Sequence, residues 1–91
     1  MPDNTIVIIE IFSAPGCNKC GKAFQLVKTV LKELGDESIN LRRINVVDEL
    51  DYAVALGIRA TPSIVINGVL VFTTTPDTEA LCKAILTQQN R

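Results

Sequence analysis

The 91-residue chain contains no histidine and only three cysteines. A structural zinc site within the chain would be one ligand short, and three cysteines are too few for a disulfide framework. Nine basic residues stand against ten acidic ones, a net charge of −1, with no Lys/Arg cluster and no interleaved aromatic stripe. That argues against nucleic acid as a partner. Met1-Pro2-Asp3-Asn4 lacks a basic n-region, and the apolar run after it is short and interrupted by Glu10. Neither a signal peptide nor a membrane span is expected, and the expected address is cytoplasmic. There is no internal repeat, low-complexity segment or linker, and no Gly-rich dinucleotide fingerprint, so no cofactor is expected. The length suits one domain, residues 1–91, burying roughly 60% of its unfolded surface in a single core.

Against these absences stands Pro15-Gly16-Cys17-Asn18-Lys19-Cys20, two thiols three residues apart where an apolar run ends and a helical pattern begins. This spacing is a redox or metal signature; a pair of core cysteines or half of a zinc site is the plainer alternative. If Cys17 sits at a helix N-terminus, unpaired amides and the helix dipole stabilise its thiolate, the form that attacks disulfides. Cys20, one turn inside the helix, would share its face and could close a disulfide with little backbone movement. Cys17 then attacks and Cys20 resolves.

The order of elements follows from patterning. Thr5 to Phe12 is rich in β-branched residues and reads as a central strand buried on both faces. A helix from Cys17 to about Leu34 carries the stripe Phe24, Val27, Leu31, Leu34, closed by a left-handed Gly35 and a polar turn Asp36-Glu37-Ser38. Ile39 to Val46 reads as an edge strand. Asp48 is placed as N-cap of a short helix through Leu56, with Gly57 as terminator and Tyr52, Ala53 and Leu56 facing the sheet. Ser63–Ile66 and Val69–Phe72 flank Asn67-Gly68, a type I′ hairpin signal. Thr75 is placed as cap of a last helix with Pro76 at its first position and Leu81, Ala84 and Ile85 on its apolar face. The class is α/β, ordered β-α-β-α-β-β-α, a four-stranded mixed sheet with three helices. The first β-α-β unit is expected to be a parallel crossover that puts Cys17 beyond the carboxyl end of a central strand.

Cys17-Asn18-Lys19-Cys20 after the first strand, with Gly57-Ile58-Arg59-Ala60-Thr61-Pro62-Ser63 before the hairpin, resembles the thioredoxin family, and over nearly the whole chain. It is most similar to the small glutaredoxin-like thioredoxins of bacteria and archaea. The resemblance implies a cis proline at Pro62 facing the cysteines, backbone hydrogen bonds from Thr61 to an extended substrate, and substrate-binding positions at Gly16, Ala60, Thr61 and Pro62. It also implies a monomeric dithiol–disulfide oxidoreductase that reduces protein disulfides with Cys17 and Cys20 and is recycled by a separate, thioredoxin-reductase-like partner. Most thioredoxins have tryptophan before the first cysteine and proline third in the tetrad; here these are Gly16 and Lys19, and Lys19 reads equally as a charge that lowers the Cys17 pKa or as a solvated side chain, not as a catalytic residue. The family's buried strand acid corresponds to Ile11. Its neighbour Glu10 faces the other side and reads as a partly exposed or paired structural carboxylate. Thr73-Thr74-Thr75-Pro76 replaces the Gly-Gly turn of glutathione-using glutaredoxins, so glutathione is the lesser donor. A soft-metal CxxC module such as a copper chaperone is the rival class, but its order is β-α-β-β-α-β. A silent interaction domain would not need both cysteines. Cys82, flanking Ile85 and Leu86, reads as an inert core thiol.

Overall fold

The structure, a computed structural model, describes residues 7–35 and 38–89. Thr5 and Ile6 of the expected first strand, Asp36 and Glu37 of the expected turn, and the last two residues of the polar tail lie outside the described residues. The elements are β1 (Val7–Ser13), α1 (Cys20–Leu34), β2 (Ile39–Asn45), α2 (Leu50–Ala55), β3 (Ser63–Ile66), β4 (Val69–Phe72) and α3 (Thr78–Gln89). The sheet runs β2-β1-β3-β4, with β1 parallel to β2 and antiparallel to β3, and β4 antiparallel to β3. This is the expected mixed sheet, with β1 central and β2 at one edge.

Period-two alternation divides the strands between two faces. Val7, Ile9 and Ile11 of β1 point the same way as Ile64 and Ile66 of β3 and meet Val27 and Val30 of α1 with Leu81 and Ile85 of α3. Each such side chain contributes about 1.5 to 3 kcal/mol by leaving water. The opposite face carries Phe12, Ile44 and Val65, covered by Ala53 of α2. Glu10 and Arg42 are register partners on that face. The expectation that β1 is buried on both sides fails at Ile8, which is 40% exposed. It shares the α2 face, and the six residues of α2 reach only as far as Phe12 and Glu10.

The turns between strands obey backbone chemistry. Asn67 and Gly68 both take positive φ, 51° and 80°, as a type I′ hairpin requires. Gly35 closes α1 with φ 62° and a hydrogen bond from its amide N–H to the Leu31 carbonyl. All three helix starts differ from expectation. No side chain caps α1: Lys19 occupies the cap and the helix opens at Cys20, after turns at Pro15-Gly16 and Asn18-Lys19. For α2 the cap is Glu49 rather than Asp48. The Asn45 carboxamide accepts the Val47 amide, and the Asn45 carbonyl takes the amides of Asp48 and Glu49, so the turn after β2 delays the helix. For α3, Asp77 accepts the Ala80 amide at 2.7 Å and displaces Thr75 as cap, leaving Pro76 buried ahead of the helix.

The two sheet edges differ in charge. β2 carries Arg42 and Arg43, whereas β4 reads Val-Leu-Val-Phe, uncharged throughout. Beside β2, the Phe24 ring lies under the cations of Lys28 and Arg43, 5.5 and 5.2 Å from its centroid.

Candidate active site

The loop from Ala14 to Lys19 leaves the carboxyl end of β1, and its shape rests on Gly16. With φ at 79° that residue lies where side-chain-bearing residues are strained, so the tryptophan position of the family pattern is held here by a residue that leaves the flank of the cysteines bare. The Cys17 amide then bonds back to the Ala14 carbonyl at 3.1 Å. Cys17 therefore stands ahead of α1 rather than in its first turn, and Cys20 opens the helix rather than lying one turn inside it.

Cys17 and Cys20 form a disulfide with Cα atoms 5.5 Å apart. Their surroundings are unequal. Cys20 is 1% exposed, drawn inward by the face of α1 that also buries Ala23 and Val27, whereas Cys17 is half-buried. Asn18 and Lys19 between them are exposed.

The second loop arrives by register. Phe12 pairs with Ser63, so Pro62, which precedes Ser63, is brought to the end of β1 from which the cysteine loop departs. The Thr61-Pro62 bond is cis and Pro62 is fully buried. The Ser63 hydroxyl donates to the Ala60 carbonyl and ties this loop back on itself. Ala60 and Thr61 line a cavity of about 250 Å³ together with Ala14 of the cysteine loop, Ile58 and Arg59, and the α2 residues Leu50, Ala53 and Val54. Gly16, Cys17, Cys20 and Pro62 do not line it; the Ala14 carbonyl, bonded to the Cys17 amide, joins the cavity to the cysteine loop. Val54 and Leu50 are 65% and 59% exposed, which makes the rim of this cavity apolar.

Glu10, 3% exposed, accepts hydrogen bonds from the Tyr52 hydroxyl at 2.7 and 2.9 Å and from Arg42 at 3.2 Å. It is a paired carboxylate, as the strand parity implied, although its depth and its tyrosine partner were not foreseen. The Tyr52 hydroxyl is pushed up from its ordinary value of 10.0, first by this hydrogen bond, then by burial and by the negative charge of Glu10. The sequence placed Tyr52, the one tyrosine, toward the sheet, but the register that sets Glu10 beside Arg42 is known only from the structure. Cys82 is free and half-buried, packed at the edge of the α1/α3 core rather than within it. Among the described residues no group of three or more His, Cys, Asp or Glu side chains could hold a metal ion, and no helix is long and apolar enough to cross a membrane.

Comparison with known proteins assigns this arrangement. The family model for the thioredoxin domain matches residues 7–87. A probable thioredoxin of Methanothermobacter thermautotrophicus is 38% identical over 80 residues, covering 88% of this chain and 93% of the relative. A thioredoxin of Methanocaldococcus jannaschii is 40% identical over 79 residues, covering 87% and 92%. In fold, a mutant thioredoxin from Halobacterium salinarum superposes with a TM-score of 0.75 at 24% identity, covering 92% of this chain and 75% of that one. With a Cys-x-x-Cys disulfide at the end of a central strand and relatives matched along nearly their whole length, the chain belongs to the thioredoxin family and is a thiol–disulfide oxidoreductase.

Proposed function

We propose that the protein reduces disulfides in other proteins, with Cys17 as nucleophile and Cys20 as resolving thiol. The observation that carries this reading is the unequal burial of the bonded pair: only Cys17 is open to a partner sulfur, while Cys20 is 1% exposed. In the reduced protein the Cys17 thiolate, favoured by the positive end of α1, attacks one sulfur of a substrate disulfide. A Cys17–substrate mixed disulfide forms and the other substrate sulfur leaves as a thiolate. Cys20, once deprotonated, attacks the Cys17 sulfur, expels the second substrate thiolate and leaves the Cys17–Cys20 disulfide. Two electrons pass to the substrate, whose two thiolates take up two protons.

The apolar cavity flanked by Ala60 and Thr61 supports a polypeptide substrate laid beside the cysteine loop, on which Gly16 is exposed. Regeneration needs two electrons from outside the chain, since no dinucleotide fingerprint is present. A separate reductase of the thioredoxin-reductase type supplies them in this reading. Glutathione fits less well, because Thr73-Thr74-Thr75-Pro76 stands where a Gly-Gly turn would contribute to binding it. The working form is a cytoplasmic monomer.

Trapping tests the assignment. Cys20→Ser should accumulate covalent protein adducts that dithiothreitol dissolves, and Cys17→Ser should trap almost none. Equal trapping by the two variants, or first alkylation of Cys20 by limiting iodoacetamide, would overturn it. Reduction of insulin with dithiothreitol, then with a thioredoxin reductase or glutathione, identifies the donor.

A further inference from the structure

Glu10 is the one acidic side chain buried among the described residues, and the exchange chemistry makes no use of it. Its nearest donor is the hydroxyl of Tyr52, on α2, whose ring also lies 5.7 Å from the Phe12 ring. Helix α2 has six residues and buries a single side chain, Ala53. A helix that short has no independent stability, and one buried alanine supplies little area to hold it. Yet Leu50, Ala53 and Val54 of this helix form one wall of the cavity beside the cysteine loop. Arg42, the second donor to Glu10, is on β2 and 61% exposed, so it fixes the carboxylate without touching that wall. Among the described residues, Tyr52 alone links the buried carboxylate to α2.

We propose that Tyr52, anchored on Glu10, is a positioning residue that holds α2 as the wall of the protein-substrate groove and thereby favours protein disulfides over small ones. This rests on the reading of Cys17 as the nucleophile. A polypeptide lying along the groove meets α2, whereas a small disulfide reaches the half-exposed Cys17 without doing so. Glu10 acts on the chemistry only through the helix it anchors.

The test is a split between two substrates. Tyr52→Phe keeps the ring on Phe12 and deletes only the donor. With dithiothreitol as reductant, the KM for insulin should rise about five-fold at unchanged kcat, while the pre-reduced protein, freed of dithiothreitol, should react with the small aromatic disulfide dithiobis(nitrobenzoate) at a rate within about two-fold of the parent. Amide protons of Ala53, Leu56 and Ile58, whose bonds hold α2 and its end, should exchange about ten-fold faster, with those of Ile9 and Ile11 unchanged. Glu10→Leu should reproduce the split, and Arg42→Gln, which leaves the tie in place, should not. Parallel losses on both substrates, an unchanged KM for insulin, or an equal effect of Arg42→Gln overturns the inference. A parent protein that reduces neither substrate overturns instead the reading of the cysteine pair, so the two failures are distinct.

Discussion

Alternate residues of the same strands build the two faces of the sheet, and the faces are held by different physics. One face joins Val7, Ile9, Ile11, Ile64 and Ile66 to helices of 15 and 12 residues, and its cluster of fully buried residues is entirely apolar. The other has a smaller cluster around Phe12 and one six-residue helix, steadied by hydrogen bonds to Glu10. Area holds the first; directional bonds hold the second. The groove lies on the second, so the wall facing a substrate is fixed by a few bonds and can yield while the core stays packed.

The largest effect should come from the apolar face. Ile9→Ala opens a cavity at the centre of that core and should cost about 2 to 5 kcal/mol in urea unfolding, with insulin turnover per folded molecule little changed. A loss well below 1 kcal/mol would show that the apolar face is not the main source of stability. On the α2 face, Tyr52→Phe should cost about 1 kcal/mol, below the usual range for a bond to a charged acceptor because the residue is 37% exposed. Its pH dependence has a definite sign. Donating to Glu10 makes the folded hydroxyl hold its proton more tightly than the unfolded one, so the contribution is whole below pH ~10 and is lost as pH rises through the higher folded value. The stability gap between parent and Tyr52→Phe should therefore be constant from pH 7 to 9 and close above pH ~10. A gap that did not begin to narrow above pH ~10 would mean that the hydroxyl does not donate to Glu10. Smallest should be Cys82→Ala, at the margin of the first face. A loss of up to about 1 kcal/mol with unchanged turnover is expected, and a large fall in turnover would give Cys82 a part in the chemistry.

The same division governs what could be read from the sequence. The apolar face announces itself by period: alternating residues in β1 and the recurrence of Val27, Leu31 and Leu34 need no knowledge of partners. The hairpin at Asn67-Gly68 and the end of α1 at Gly35 were legible because each needs positive φ, which few residues tolerate. Helix starts were less legible because local acceptors compete. Asp77 and Thr75 both suit a cap, and only the bond to the Ala80 amide decides between them. Asn45 diverts the chain before α2 by accepting the Val47 amide, a competition that propensity does not reveal. Around the candidate site, the Cys17–Cys20 bond and the cis Thr61-Pro62 peptide were legible from spacing and resemblance. The Glu10–Tyr52 bond was not, since it joins residues 42 apart and depends on which strand lies beside β1.

The short span of the disulfide has a consequence for how the protein cycles. Its cysteines are three apart in sequence, so the covalent ring restricts the unfolded chain little. On a chain-entropy estimate the crosslink adds about 2 kcal/mol, against nearly 5 kcal/mol for one closing a loop of about 100 residues. Opening the ring therefore costs the fold less than half of what opening a long-range crosslink would. The core cluster against α1 and α3 contains neither cysteine of the pair, so its contribution to folding does not depend on whether the ring is open or closed, like a cell whose casing is indifferent to its charge.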